Sequence, residues 1–300
     1  QESKPTLVID KLYDYEDLVA SIETTLQHMI HETHYDTAHN FIDFYQAFRS
    51  SRFEKLDEFF RNYVPPINRR SHMCVSLAME IVSRIALLRP DIAEHFYLVS
   101  CEEAVENAIA YAEHCHQSGI DSTAWTLEKE HALVAMKIKV CGRDGILLLD
   151  PGYHVARVVS VMKDEKYPHT NYFVQSDEPG CKREYCYTFS HESTNFIAWH
   201  ERTTRNGKQM FEESAIYVGR PFRSAVDVTA RRNLVYEFRS LVSRDAKGRV
   251  FFFFFFPIIA NTDMAFTIFY NEGIDNKMLK TKLRFSTFKE GVKVRRNFLK

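Results

Sequence analysis

The stretch "HALVAMKIKVCGRDGILLLD", residues 131–150, decides the fold class of this 300-residue chain. Leu133, Ala135 and Lys137 alternate along its first half, "GILLLD" is a short apolar run, and "CGRDG" between them has the composition of a tight hairpin connection. Antiparallel pairing with a turn near Gly142 to Gly145 brings the start of one strand beside the end of the other. His131 and Asp150 are therefore expected to sit side by side.

Downstream of this hairpin, "VARVVSVM", "REYCYTFS" and "NFIAWHER" are β-branched or aromatic segments separated by polar turns and read as further strands. Beyond Arg223 the pattern is mixed. "TARRNLVYEFRSLVSRD" fits a helix or a strand with loops, while "RVFFFFFFPIIA" and "MAFTIFYNEG" read as buried strands joined by a turn at Asn261 to Asp263. The run Phe251 to Phe256 is expected to be a strand buried on both faces, with a hydrophobic partner or ligand surface as the alternative.

Upstream, apolar residues recur every three or four positions. Leu18, Ile22, Leu26 and Ile30, then Phe41, Phe44, Tyr45 and Phe48, then Leu56, Phe59 and Phe60 predict a helical section that "VPPIN" terminates. Two more helices are expected, Cys74 to Leu88 and Glu102 to His114. The chain thus divides into a helical section (1–118), a β-rich section (119–222) and a mixed α/β section (223–300).

Composition narrows the function. With 39 basic and 40 acidic residues the formal charge is −1, so no global field draws the chain to nucleic acid or an anionic membrane. No apolar run approaches the roughly 20 residues that cross a bilayer, and "QESKPTLVID" lacks the order of a signal peptide. A cytoplasmic protein is expected. The six cysteines lie without CxxC pairing, which fits a reducing compartment and argues against structural zinc. His28, His31 and His34 recur at helical spacing but without the HExxH pattern, and "HCH" at 114–116 stands alone, so no metal is expected. Phosphate-loop, dinucleotide and GxSxG signatures are lacking.

One cysteine has a context that the others lack. Cys74 heads a segment whose Val75, Leu77, Ala78, Ile81, Val82, Ile85 and Ala86 make a continuous apolar face. A thiol attacks only as thiolate, and helix N-terminal amides favour both the thiolate and a developing oxyanion. His131 as base and Asp150 as its orienter complete a Cys-His-Asp set.

This order of parts resembles the arylamine N-acetyltransferase family, whose cysteine motif is Arg-Gly-Gly-x-Cys and whose aspartate motif is Asp-Val-Gly-Phe-Gly. In "RSHMC", Arg70 and Cys74 match while Ser71 and His72 replace the glycines. In "DPGYH", Asp150, Gly152 and the aromatic Tyr153 match while Pro151 and His154 depart. The resemblance implies an α+β fold with a papain-like core: an N-terminal helical section, a central antiparallel sheet or barrel, and a mixed C-terminal region. It also implies acyl transfer from a thioester such as acetyl-CoA to an amine by a ping-pong mechanism. Cys74, His131 and Asp150 would be catalytic, and Tyr153, Gly152 and Arg70 would bind substrate. The implied partners are a small-molecule acyl donor and an amine acceptor, with a protein partner left open. The runner-up resemblance is to transglutaminase-like enzymes, supported by Ala78 and by "LDP", which would make the reaction amide transfer or hydrolysis. A third reading is an inactive binding protein on the same fold.

Overall fold

The structure, a computed structural model, describes residues 3–67, 69, 72–118, 130–178, 180–191, 193–223, 226–259, 264–271 and 278–289. The hairpin forms as its sequence implies. Strand β4 (His131–Val140) pairs antiparallel with β5 (Arg143–Leu149). The two residues between them, Cys141 and Gly142, both have positive φ (49° and 79°), the geometry a two-residue type I′ connection requires.

Around this hairpin grows an α+β fold whose main sheet has nine strands. They include β3 (Phe96–Val105), β6 (Val159–Met162), β7 (Phe173–Glu178), β8 (Cys181–Phe189), β9 (Phe196–Arg205) and β10 (Lys208–Tyr217), in the order β6-β5-β4-β3-β10-β9-β8-β7. The short β1 (Leu7–Ile9) adds to β4 in parallel. Neighbours along the main path are antiparallel, and β6 packs against β8, so the sheet curls into a half-barrel.

The alternation of β4 sorts two cores. Leu133 and Ala135 point into the barrel, where they meet Val99, Leu148, Tyr185, Tyr187 and Trp199. Val134, Met136 and Ile138 point outward onto α1 (Leu12–Glu32) and α4 (Cys74–Leu88). Leu18, Ile22, Leu26 and Ile30 are buried along one face of α1, and Leu77, Ala78, Ile81 and Ile85 along one face of α4. Each Leu or Ile so buried is worth roughly 1.5–3 kcal/mol relative to exposure. This packing fixes the start of α4 against the hairpin.

A second, five-stranded sheet is antiparallel, in the order β14 (Met278–Arg284), β13 (Ala265–Asn271), β12 (Val250–Pro257), β11 (Phe238–Arg244), β2 (His34–Asp36). Helix α2 (Thr37–Ser50) packs on β11, and α3 (Leu56–Asn62) joins Phe59 to Phe44 and Phe48 of α2. Both sheets recruit strands from the N-terminal section: β1 and β3 enter the first, β2 the second. Among the described residues, no helix is long and apolar enough to cross a membrane.

Two expectations are corrected. Glu102 to Val105 are not helical. They continue β3 and pair with β10 through a bulge at Ala104 (φ 51°), and the helix α5 (Ala108–Gln117) begins only where Asn107 caps it by accepting the Ala110 amide. The phenylalanine run is a strand, β12, but it is not buried on both faces. Phe251 is 42% exposed and Phe252 to Phe256 are half-buried. Phe253 and Phe255 stack with Phe269 on one face, and Phe254 and Phe256 meet Phe266 and Phe285 on the other. The ambiguous segment after 223 splits into α6 (Val226–Arg232) and β11. The turn expected at Asn261 to Asp263 lies outside the described residues.

Candidate functional site

Val134 pairs with Leu149, and continuing that register places His131 opposite Gly152, diagonal to Asp150 and on its face of the sheet. The diagonal is short enough for a direct bond: His131 Nε2 donates to Asp150 Oδ1 at 2.9 Å. Asp150 Oδ1 also accepts the Tyr153 amide at 3.0 Å, and the Asp150 carbonyl accepts the Val155 amide, so a tight turn after β5 holds the carboxylate. Asp150 Oδ2 is buried without a hydrogen-bond partner among the described residues.

Cys74 is the first residue of α4, whose N-cap residue, Met73, makes no side-chain cap bond. Cys74 is 1% exposed; His131 and Asp150 are each 3% exposed. The His131 ring is hydrogen-bonded to Asp150, and the neighbouring Cys74 thiol adds to the pull that keeps the ring protonated. Because Asp150 engages Nε2, Nδ1 is the nitrogen left for sulfur. Gly152 lies in the angle between the two side chains. A Cβ there would stand 2.7 Å from His131 Cε1 and 3.0 Å from Cys74 Cβ, so only glycine admits this approach.

Burial alone would push the His131 imidazole down. The adjacent Asp150 charge, its hydrogen bond and Cys74 outweigh burial and hold the ring well above its ordinary value. A protonated ring beside sulfur is the partner that a thiolate needs. His154, two positions beyond Gly152, is pushed well below its ordinary value by burial, then by Arg244 and His131, and remains neutral.

Gly152 and Tyr153 both line a cavity beside His131. The Tyr153 ring stands edge-on to His131 at 4.7 Å and to Trp199 at 4.8 Å, and its hydroxyl donates to Glu103 Oε1 at 2.6 Å. Arg70 and Ser71 lie outside the described residues. His72, where the acetyltransferase motif has its second glycine, adopts φ 50°. The left-handed backbone that glycine takes freely is thus kept by a histidine, whose carbonyl accepts the Asp36 amide and whose ring stands edge-on to His34 at 4.6 Å.

Several site residues carry no sequence signal. Tyr35, on β2, packs against Cys74 and donates its hydroxyl to Asn233 Oδ1 at 3.0 Å; burial, then Cys74 and Glu103, push its phenol up. Glu103 sits beside the triad because β3 continues past Cys101, the cross-strand partner of His131. Burial pushes its carboxyl up, against the pull of His131. Together with His131, Gly152 and Tyr153, these residues line a cavity of about 530 Å³, roofed by Val242, Arg244 and Phe253 of the second sheet. Among the described residues, no group of three or more His, Cys, Asp or Glu side chains is placed to hold a metal.

Comparison of the chain with known protein families, with curated proteins and with solved structures finds no match in any of the three.

Proposed function

We propose that this protein is a thiol acyltransferase on a papain-like plan, taking an acyl group from a thioester such as acetyl-CoA onto Cys74 and passing it to an amine. The observation that carries this reading is the buried Cys74–His131–Asp150 line across Gly152, at the head of α4. Cys74 Sγ attacks the thioester carbonyl while its proton rests on His131. The oxyanion is met by the Cys74 amide and by the Tyr35 hydroxyl, which now donates to Asn233. Collapse expels the donor thiol, protonated by His131. An amine then attacks the acyl-sulfur bond, gives its proton to His131, and leaves Cys74 free. Asp150 keeps the ring oriented throughout and stabilises it whenever it carries the proton.

A cavity of about 530 Å³ walled in part by residues of β2 and β11 suits small molecules. A polypeptide amide, the substrate of the transglutaminase-like alternative, needs an open groove, and Cys74 is 1% exposed. The test is intact-protein and peptide mass spectrometry after mixing with acetyl-CoA or p-nitrophenyl acetate. One acetyl group on Cys74, discharged by added amine and lost in Cys74→Ala, is expected. No adduct, or equal turnover by Cys74→Ala, overturns the proposal.

A further inference from the structure

Arg244 ends β11 at the roof of the cavity. Ser243 pairs with Phe252 but Arg244 with Val250, which leaves Phe251 as an extra residue on β12. Such a bulge bends the strand and re-aims the neighbouring side chain. Arg244 lines the same cavity as His131, Gly152 and Tyr153.

The guanidinium there has little to answer its charge. Nη1 donates to the Gly248 carbonyl at 3.1 Å, and Nε is buried with no hydrogen-bond partner among the described residues. None of the described carboxylates lies within ion-pair distance of it. Its chain neighbour Asp245 is turned away, bonded to Arg249 at 2.6 Å and to the amides of Lys247 and Arg249. Glu178 is exposed. Arg183, the second guanidinium in the cavity wall, already shares Glu201 at 3.7 Å. His154, the nearest other base, is neutral. Burial lowers the Arg244 pKa to about 10, which still leaves it charged at neutral pH. A half-buried guanidinium whose buried Nε–H has no partner is normally answered by an anion. One unanswered positive charge matches a monoanion, and the guanidinium fork matches the two oxygens of a carboxylate.

We propose that Arg244, assisted by Arg183, binds a carboxylate on the small molecule that reacts at Cys74. This rests on Cys74 being the acylated thiol only for the kinetic part of the test below. The carboxylate belongs either to the acyl donor or to the amine acceptor, and the two phases of the reaction separate them.

For the donor, the rate of p-nitrophenolate release is compared between the mono-p-nitrophenyl ester of glutaric acid and p-nitrophenyl valerate. For the acceptor, discharge of acetylated Cys74 is compared between 4-aminobutyrate and propylamine. A preference of about tenfold or more for the carboxylate in one phase is expected, and Arg244→Met should abolish it, bringing the ratio of the carboxylate's rate to the neutral compound's rate to about one. Preference in neither phase overturns the proposal while leaving acyl transfer at Cys74 intact. Binding is tested separately on Cys74→Ala, where glutarate should raise Tm saturably and inorganic phosphate at equal ionic strength should not. Saturable stabilisation with no acylation upholds the carboxylate site and overturns the acyltransferase instead. A response to phosphate alone overturns the carboxylate. Arg244→Met itself should largely keep Tm, because it removes a half-buried cation that has no carboxylate within ion-pair distance among the described residues. Should it fail to fold, Arg183→Met serves as the second variant, with a partial loss of preference expected.

Discussion

Replacing Gly152 by alanine adds a single methyl group at the most crowded point of the site. The new Cβ would lie 2.7 Å from His131 Cε1, 3.0 Å from Cys74 Cβ and 3.1 Å from Cys74 Cα. Comfortable carbon-carbon separations are about 3.5–4.0 Å, so the contacts must open by roughly 0.5–1 Å. The Cys74 backbone cannot yield easily, because α4 is anchored through Leu77, Ala78, Ile81 and Ile85. The His131 ring is held by Asp150 at one edge and Tyr153 at another. Any relief therefore separates the ring from the sulfur. Overpacking of this kind costs about 1–3 kcal/mol of stability, and a displacement near 1 Å between reacting groups costs about 100-fold in rate. Two assays divide these effects. Urea unfolding should show the modest stability loss, and iodoacetamide alkylation of Cys74 across pH should show a slower reaction at neutral pH. If Gly152→Ala alkylates and acylates at the rate of the unchanged protein, the facing of Cys74 and His131 across Gly152 is wrong.

Other perturbations probe single groups. Asp150→Asn removes the strongest influence raising His131. The stability it supplies is fully present below the unfolded histidine pKa of about 6.5 and is lost as pH rises through the raised folded value. The variant's deficit in urea unfolding should therefore be largest near pH 6 and shrink toward alkaline pH; an equal deficit at every pH would refute this. His154 works in the opposite sense, since its folded pKa is depressed and acid protonates only the unfolded chain. His154→Asn, which suits the local φ of 58°, should remove about 1.4 kcal/mol per pH unit of stability loss on acidification below about pH 6.5. Tyr35→Phe should slow acylation of Cys74 by about tenfold or more yet spare alkylation by iodoacetamide, which develops no oxyanion. Parallel loss of both rates would assign Tyr35 a merely structural role.

The nearness of Cys74, His131 and Asp150 was legible because each sits at the end of an element that local sequence defines: Cys74 at the head of a long apolar helix, His131 and Asp150 at the open ends of a hairpin closed by Cys141 and Gly142. Short-range rules act on such features. The cavity walls were illegible because they depend on pairings between distant segments. Tyr35 lies between two helices and joins the site through a three-residue strand whose partners, Leu241 to Ser243, come some 200 residues later by register. Glu102 to Val105 have a composition compatible with helix, but the β10 edge was available and claimed them. The phenylalanine run showed strand but not burial, since the cover of each face comes from β13 and Phe285 and from nothing in the run itself.

That division has a functional consequence. Cys74, His131 and Asp150 are all fixed by the main sheet and the helices packed on it, whereas Tyr35, Val242, Arg244 and Phe253 belong to the second sheet. The nucleophile and its base therefore need not change when the second sheet does. Substitutions on β11 or β12 should alter which acyl compounds enter, and in what orientation, well before they alter the reactivity of the thiol. The resemblance to the acetyltransferases lies in the first group of residues, and it bears on the chemistry. On the proposed reading the second group would set the substrate, and its most distinctive member is Arg244, half-buried with no carboxylate within ion-pair distance among the described residues.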